Sequence, residues 1–323
     1  MKKPVRPFLR RPPGRAAICA SLILLAGGVC ARAQVARGGR IRTDVNLVSL
    51  TVNVQDAAGR PVIGLPPEAF SVFDEGVKQE VAVFEAQTQQ PLDLALMIDT
   101  SLSAASELQF ESAAALRFIR KVVRPQDTLA VYTFAEIVER LTPYTSNLEA
   151  LEDGLRRMRP GAGTSLYDAI YLASEELGRR PASRRRVIVL VTDAGETTSR
   201  ASFEDARRAA LASDVLLYTI VVRTLKSDAL RDLAGEHALV AITDSTGGAM
   251  FVADELSQLD RLYSEIDYEL RTQYLLAFYP QPPPPKKSIR HLEVQVHVAP
   301  GTVENIPLRI RHRREYLTDG AAE

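Results

Sequence analysis

The stretch Leu94–Ala105, "LALMIDTSLSAA", decides the fold. Its apolar residues run without polar interruption into Asp99, with "LDLALMIDT" as the wider frame. A strand that is greasy on both faces is one covered on both faces, as in a parallel sheet. Beyond its end, Asp99, Ser101 and Ser103 form a D-x-S-x-S pattern of three hard oxygen donors. In a doubly wound sheet, ligands bind in the crevice outside the carboxyl ends of the strands. That makes this loop the first place to look for function.

Working outward, apolar runs alternate with helical patterns. "ELQFESAAALRFIRKVV" places Leu116, Ile119 and Val123 at helical spacing. "TLAVYTFA", "RRVIVLVTD" and "VLLYTIVV" read as further buried strands. "NLEALEDGLRRM", "SLYDAIYLASEEL" and "SFEDARRAALAS" read as helices, the last opened by Ser202 as N-cap. "ELSQLDRLYSEIDYEL" carries Leu256, Leu259, Leu262, Tyr263, Ile266 and Leu270 on one stripe. No element is assigned between Val222 and Glu255. Alternating β and α predicts a doubly wound, Rossmann-like, mostly parallel sheet covered on both faces.

Both flanks have a different texture. In "VNLVSLTVNVQDAAGRPVIGL", Val45, Leu47, Ser49, Thr51 and Asn53 alternate with Val48, Leu50 and Val52 before an Asp-Ala-Ala-Gly turn. "AFSVFDEGVKQEVAVFEA" repeats the plan around Asp-Glu-Gly. At the other end, "QPPPPKK" makes a stiff turn or linker before "RHLEVQVHVA" and "IPLRIRHRREYL". The expected organisation is a β module over 34–90, an α/β domain over 91–280, and a C-terminal β segment over 281–323. The last segment is expected to pack with the first, so that the α/β domain is an insertion in a β-rich module.

Residues 1–33 read as a secretory signal peptide. Lys2, Lys3, Arg6, Arg10, Arg11 and Arg15 precede "AAICASLILLAGGVC" and an A-x-A site, with cleavage expected after Ala33. The alternative is an uncleaved membrane anchor. Both cysteines, Cys19 and Cys30, lie in this segment, so a mature chain would have no thiol chemistry. The whole chain balances 40 basic against 40 acidic residues. Removing residues 1–33 takes seven basic residues and no acid, and the formal net charge becomes −7. An acidic exported protein is a poor partner for nucleic acid. Secretion, or residence in the periplasm or cell envelope, is the expected location. The run Arg184-Arg185-Arg186, with Arg179 and Arg180, reads as a solvated loop entering a strand, or alternatively as a partner contact.

Collecting the residues just past each buried strand gives three loops. They are Asp99-Thr100-Ser101-Leu102-Ser103, then "RPGAGTSLYDAI" with Gly161, Gly163 and Thr164, then Asp193 in "TDAGETTS". Two carboxylates and three hydroxyls, without His, Cys or Lys, favour Mg²⁺, Mn²⁺ or Ca²⁺ over softer metals. So few charged ligands leave a cation electrophilic and open to an anionic oxygen from outside. Catalysis finds little support, and no catalytic residue is assigned. Ser101 lacks a G-x-S-x-G elbow and a plausible histidine, and His237, His291, His297 and His312 are scattered. "GAGTS" lacks the lysine of a phosphate-binding loop.

The combination of D-x-S-x-S, a threonine at a Gly-rich helix entry, and an aspartate after a later strand resembles the metal-ion-dependent adhesion site of von Willebrand factor A domains. Together with "VNLVSLTVNVQDAAGRPVIGLPPEAFSVFDEGVKQEVAVFE" and "YELRTQYLLAFYP", it resembles bacterial secreted, chiefly acidobacterial, proteins of that kind over roughly residues 43–316. The resemblance implies direct cation ligation by Ser101, Ser103 and Thr164, with Asp99 and Asp193 acting mostly through water. A protein partner's Glu or Asp would complete the shell of a divalent cation, Mg²⁺ first. It also implies that the helix over Glu255–Arg271 can act as a switch. A purely structural module of the same fold with a silent site is the alternative. Three positions depart from the pattern: Leu102 and Ala194 stand where glycine is usual, and Ala104 where methionine is frequent. Leu102 would crowd its loop if its φ were positive.

Overall fold

The computed structural model describes residues 47–102, 107–223, 232–297 and 307–318. The segment read as a signal peptide, Val45, Ser103 and Ala104 lie outside them. Among the described residues no helix is long and apolar enough to cross a membrane.

The central sheet is built from β5 (Leu92–Asp99), β6 (Thr128–Phe134), β7 (Val138–Arg140), β8 (Arg185–Thr192), β9 (Val215–Val222) and β10 (Ala249–Ala253). Its order is β10-β9-β8-β5-β6-β7, parallel throughout except for β7, which runs antiparallel to β6. The first strand in sequence thus sits in the middle, with its successors laid to either side. Every residue of β5 is buried, as its unbroken apolar run requires.

Helices cover both faces. On one lie α1 (Leu108–Val122), α2 (Leu148–Arg156) and α6 (Leu259–Thr272), packed on Leu94, Leu96, Ile98, Val187, Val189 and Tyr218. On the other lie α3 (Leu166–Gly178), α4 (Phe203–Ala212) and α5 (Leu233–Thr246), packed on Ala95, Met97, Ile188, Leu190 and Leu217. Odd and even strand positions feed opposite cores, as period-2 side-chain alternation dictates. Ser202 caps α4 in a capping box with Asp205. The elements α5, β10 and β7 fall where no element, or only a loop, is expected from the sequence.

The flanks form two four-stranded antiparallel sheets that share one core. One has the order β13-β1-β11-β4, from β1 (Val48–Gln55), β4 (Val81–Glu85), β11 (Tyr274–Phe278) and β13 (Arg309–His312). The other has the order β14-β12-β2-β3, from β2 (Phe70–Asp74), β3 (Val77–Gln79), β12 (Ile289–Val296) and β14 (Glu315–Leu317). Each sheet therefore combines strands from both ends: they alternate in the first, while in the second the pair β14-β12 joins the pair β2-β3. β11 lies between β1 and β4, so this strand belongs to the sandwich and follows α6 after a single residue, Gln273. The β2–β3 turn uses Glu75 at φ 49° and Gly76 at φ 77°, the left-handed pair a tight hairpin needs. Tyr274 is fully buried: its hydroxyl donates to the Val62 carbonyl at 2.9 Å and accepts from the Leu65 amide at 3.0 Å.

Candidate functional site

The carboxyl edge of the parallel sheet assembles three loops. β5 ends on Asp99, only 1% exposed. Asp99 Oδ1 accepts the Ser101 amide at 2.9 Å, and Oδ2 accepts the Thr192 hydroxyl at 2.7 Å, stitching the ends of β5 and β8 together. Ser101 forms an isolated parallel bridge with Gly161, whose amide donates to the Thr100 carbonyl at 2.8 Å. Asp193 follows β8, and its Oδ1 accepts the Gly195 amide at 2.9 Å. A Cβ placed on Gly195 would lie 3.0 Å from Asp193 Oδ1 and 3.7 Å from Thr164 Oγ1. Asp193 and Thr164 are therefore neighbours across a residue that has to be small. Asp99, Ser101, Thr164 and Asp193 come together at one sheet edge; Ser103 falls outside the described residues.

The second and third loops are bonded to each other along their length. The Thr164 amide donates to Thr197 Oγ1 at 2.8 Å, and the Thr197 amide donates back to the Thr164 carbonyl at 2.9 Å. The first amides of α3 are not capped by the helix's own Ser165 side chain. Instead the Tyr167 amide donates to Glu196 Oε2 at 3.1 Å and to Ser199 Oγ at 3.0 Å. Asp168 Oδ1 takes the Ala201 amide at 2.7 Å in return. The sequence reading missed Thr192, Glu196, Thr197 and Ser199. Their signal is the hydroxyl-rich "TDAGETTS" itself, in which Glu196, Thr197 and Ser199 serve the Gly-rich loop and helix entry and Thr192 serves Asp99.

Burial pushes the Asp99 carboxyl up to about 6, and the neighbouring charge of Asp193 adds to the rise against hydrogen bonds from Ser101 and Thr192. A further acid stands nearby. Glu111 on α1 is 3% exposed, and its Oε2 has no hydrogen-bond partner among the described residues. Burial first, then the charges of Glu107, Asp99 and Asp193, push it up to about 8. Glu111 was absent from the sequence-derived set; the acid pair at helical i, i+4 spacing, Glu107 and Glu111, was its only trace.

This negative, partly desolvated edge fits a hard divalent cation, which would relieve the mutual repulsion of its carboxylates. No group of three or more His, Cys, Asp or Glu able to hold a metal occurs among the described residues. A cation here therefore relies on two carboxylates and on hydroxyls. The two most exposed large hydrophobic residues among those described stand beside it: Leu102 at 68% and Ile137 at 76%. The hairpin carrying Ile137 is tied to the Gly-rich loop by the Glu136 amide, 2.7 Å from the Ala162 carbonyl.

Central strand at the switch of direction, flanking helices on two faces, oxygen donors beyond the strand ends: these define a doubly wound α/β domain with its candidate site at the carboxyl edge of the sheet. Residues 94–196 match the family model of the von Willebrand factor type A domain, and the chain carries a domain of that family. The sheet extends past the matched region through β9 and β10. Solved structures similar to the chain include BatB from Bacteroides thetaiotaomicron, at 17% identity over 55% of this chain and 98% of that one, TM-score 0.44. A von Willebrand factor type A protein from Catenulispora acidiphila aligns at 9% identity over 87% and 76%, TM-score 0.49. Proximal thread matrix protein 1 from the mussel byssus, solved with a zinc-occupied MIDAS motif, aligns at 17% identity over 60% and 48%, TM-score 0.48. No curated protein matches the chain.

Proposed function

We propose that the chain is a secreted, non-enzymatic protein-binding module of the adhesion type. It would hold a divalent cation, Mg²⁺ first and Mn²⁺ or Ca²⁺ as substitutes, through Asp99, Ser101, Ser103, Thr164 and Asp193. The observation that carries the reading is the meeting of Asp99, Ser101, Thr164 and Asp193 at one edge, with both carboxylates already accepting backbone or hydroxyl donors. Those donors hold the carboxylates in place, while hydroxyls supply the remaining neutral ligands. When bound, the cation would supply an electrophilic centre for a Glu or Asp of a protein partner. Leu102 and Ile137 suit a partner whose carboxylate is flanked by apolar side chains. The acidic charge after loss of residues 1–33 weighs against nucleic acid, and the basic-then-apolar segment there supports export. Likeness of the flanks to the bacterial secreted, acidobacterial-type proteins belongs to the same proposal.

Thermal melts in EDTA and in Mg²⁺ or Mn²⁺ test it. At 100 times the dissociation constant the cation should stabilise the fold by about 2.7 kcal/mol. Asp99→Ala should abolish that difference. Identical melts at millimolar metal would leave the module with a silent site.

A further inference from the structure

The carboxyl edge of the sheet carries more than oxygen donors. Among the described residues Ile137 is 76% exposed, Leu102 68% and Leu233 53%, ahead of every other large hydrophobic residue described. None of the three belongs to either core of the α/β domain. Single exposed leucines are ordinary, whereas several gathered on one edge mark a contact surface.

Each stands beside a different ligand loop. Leu102 lies between Ser101 and Ser103 in the first. Ile137 belongs to the turn between β6 and β7, which is bonded to the Gly-rich loop. There the Glu136 amide donates to the Ala162 carbonyl at 2.7 Å, the Ser165 amide to the Ala135 carbonyl at 2.7 Å, and the Ser165 hydroxyl to the Glu136 carbonyl at 2.8 Å. That turn is therefore anchored one residue from Thr164. Leu233 opens α5 directly after its N-cap Asp232, which accepts the Gly235 amide at 2.9 Å. A Cβ on Gly235 would lie 1.9 Å from the Ala194 carbonyl oxygen, so the first turn of α5 rests on the residue after Asp193. The strands that end at these anchors, β8, β5 and β6, are consecutive neighbours in the sheet. Adjacent strands lie about 4.8 Å apart, which puts the three anchor points within roughly 10 Å of edge.

Charge decides what such a rim receives. Exposed Glu136 and Glu139 flank the Ile137 turn, Asp232 precedes Leu233, and Asp99 and Asp193 belong to the same edge. A second copy of the chain would bring two acidic edges together, and an anionic membrane surface would meet the same repulsion. A protein loop with one carboxylate for the cation and apolar side chains around it meets both demands of the edge. Resting on the cation reading above, we propose that Leu102, Ile137 and Leu233 are specificity-determining residues. They form an apolar rim that selects, among acid-bearing loops of protein partners, those whose Asp or Glu sits between large apolar side chains. The cation supplies the attraction that all such acids share, and the rim supplies the choice among them.

The test selects short, disulfide-closed random loops displayed on phage against the exported chain, in Mg²⁺ and in EDTA. Loops selected in Mg²⁺ should carry Asp or Glu beside large apolar residues. A synthetic loop of that kind should bind at least about tenfold tighter than the same loop with serines beside the acid. The combined variant Leu102→Ser, Ile137→Ser and Leu233→Ser should lose that preference and bind both loops alike. Its melt in EDTA, matching wild type, shows the fold intact. Should the combined variant fail to fold, Ile137→Ser alone, which alters no ligand loop, decides. Acid-dependent and Mg²⁺-dependent binding that is blind to the flanking residues would overturn the rim alone, as would an apolar preference that survives in the variant. So would binding to phosphatidylglycerol vesicles, or dimerisation in sedimentation, that the variant abolishes, because either gives the rim another occupant. Loops enriched in apolar residues but not in acid, bound equally in EDTA, would refute the cation reading and with it the choice among acids.

Discussion

The two ends of the central sheet gather side chains of opposite charge. Asp99, Asp193 and Glu111 gather at the carboxyl ends of the strands, where burial and neighbouring charge raise Asp99 and Glu111. Arg180, Arg184, Arg185 and Arg271 gather at the amino ends. In an α/β layer the helix amino termini lie at the first edge and the carboxyl termini at the second, so the helix dipoles favour this polarity. Sign alone does not make a site, however. At the arginine edge some cations are fully matched by buried acids and lock the structure, while Arg185 and Arg186 are not. At the acidic edge the Asp99 carboxylate is held by the Ser101 amide and the Thr192 hydroxyl, and Asp193 accepts the Gly195 amide.

The matched part of the arginine edge should give the largest effect. Asp93 is fully buried and receives Arg180 Nε at 2.6 Å, Arg184 Nε at 2.7 Å and the Thr128 hydroxyl at 2.6 Å. Burial alone would raise its carboxyl; the hydrogen bonds from Arg180, Thr128 and Arg184 outweigh this and lower it below its usual 3.8. Asp93→Ala leaves two guanidiniums facing an apolar wall and should destabilise by about 3–5 kcal/mol in urea unfolding at pH 7. A loss under about 1 kcal/mol would mean that this edge is as solvated as its sequence suggests.

The acidic edge should respond to pH in the opposite sense. A carboxyl lowered by folding stabilises above its unfolded pKa and loses that contribution as pH falls, which is the case of Asp93. Glu111 is raised, so the folded state binds its proton more tightly. Stability should therefore fall as pH rises from about 4.5 towards 8. In EDTA, Glu111→Gln should flatten that slope and gain about 1–3 kcal/mol at pH 8. Parallel slopes for wild type and variant would show that Glu111 titrates normally.

The contrast also explains what the sequence made legible. Uninterrupted apolar runs in β5, β8 and β9 could only be strands covered twice, and alternation in β1 marked a sandwich strand. Helix α5 escaped because its buried face sets only Leu239 and Ile242 among Gly235, Glu236, Thr243, Ser245 and Thr246, too few apolar positions to read as a stripe. Glu236 is tolerated inside through Arg223 at 2.6 Å, a partner on another element. The arginine run failed for the same reason. Like charges in sequence suggest solvent, yet Arg184 reaches an aspartate some ninety residues earlier, and Arg185 and Arg186 bond to Gln273 and to distant carbonyls. Ligand types could be read at the candidate site, whereas the backing hydroxyls and Glu111 depend on how three loops meet.

Backbone strain at the acidic edge sharpens the comparison further, because the two departures from glycine are not equivalent. Non-glycine residues with positive φ among those described are Glu75, Gln87, Ala194, Asp214 and Lys287; Leu102 is not one of them. Leu102 points to solvent without strain, and its expected crowding is absent. Ala194, at φ 66° and fully buried, carries the left-handed conformation instead. Its amide is held by Thr192 Oγ1 at 3.0 Å, and its carbonyl would lie 1.9 Å from a Cβ on Gly235. The loop therefore has little room to relax. Left-handed backbone costs an alanine about 1–2 kcal/mol, against about 0.8 kcal/mol for the buried methyl. The freer unfolded chain takes back about a further 0.4–1 kcal/mol, so Ala194→Gly should leave stability within about 1 kcal/mol of wild type. Leu102→Gly, which only frees the unfolded chain, should destabilise by about 0.4–1 kcal/mol. Urea midpoints measured side by side should fall less, or not at all, for Ala194→Gly; an equal or larger fall than for Leu102→Gly would place the strain elsewhere in the ligand loops.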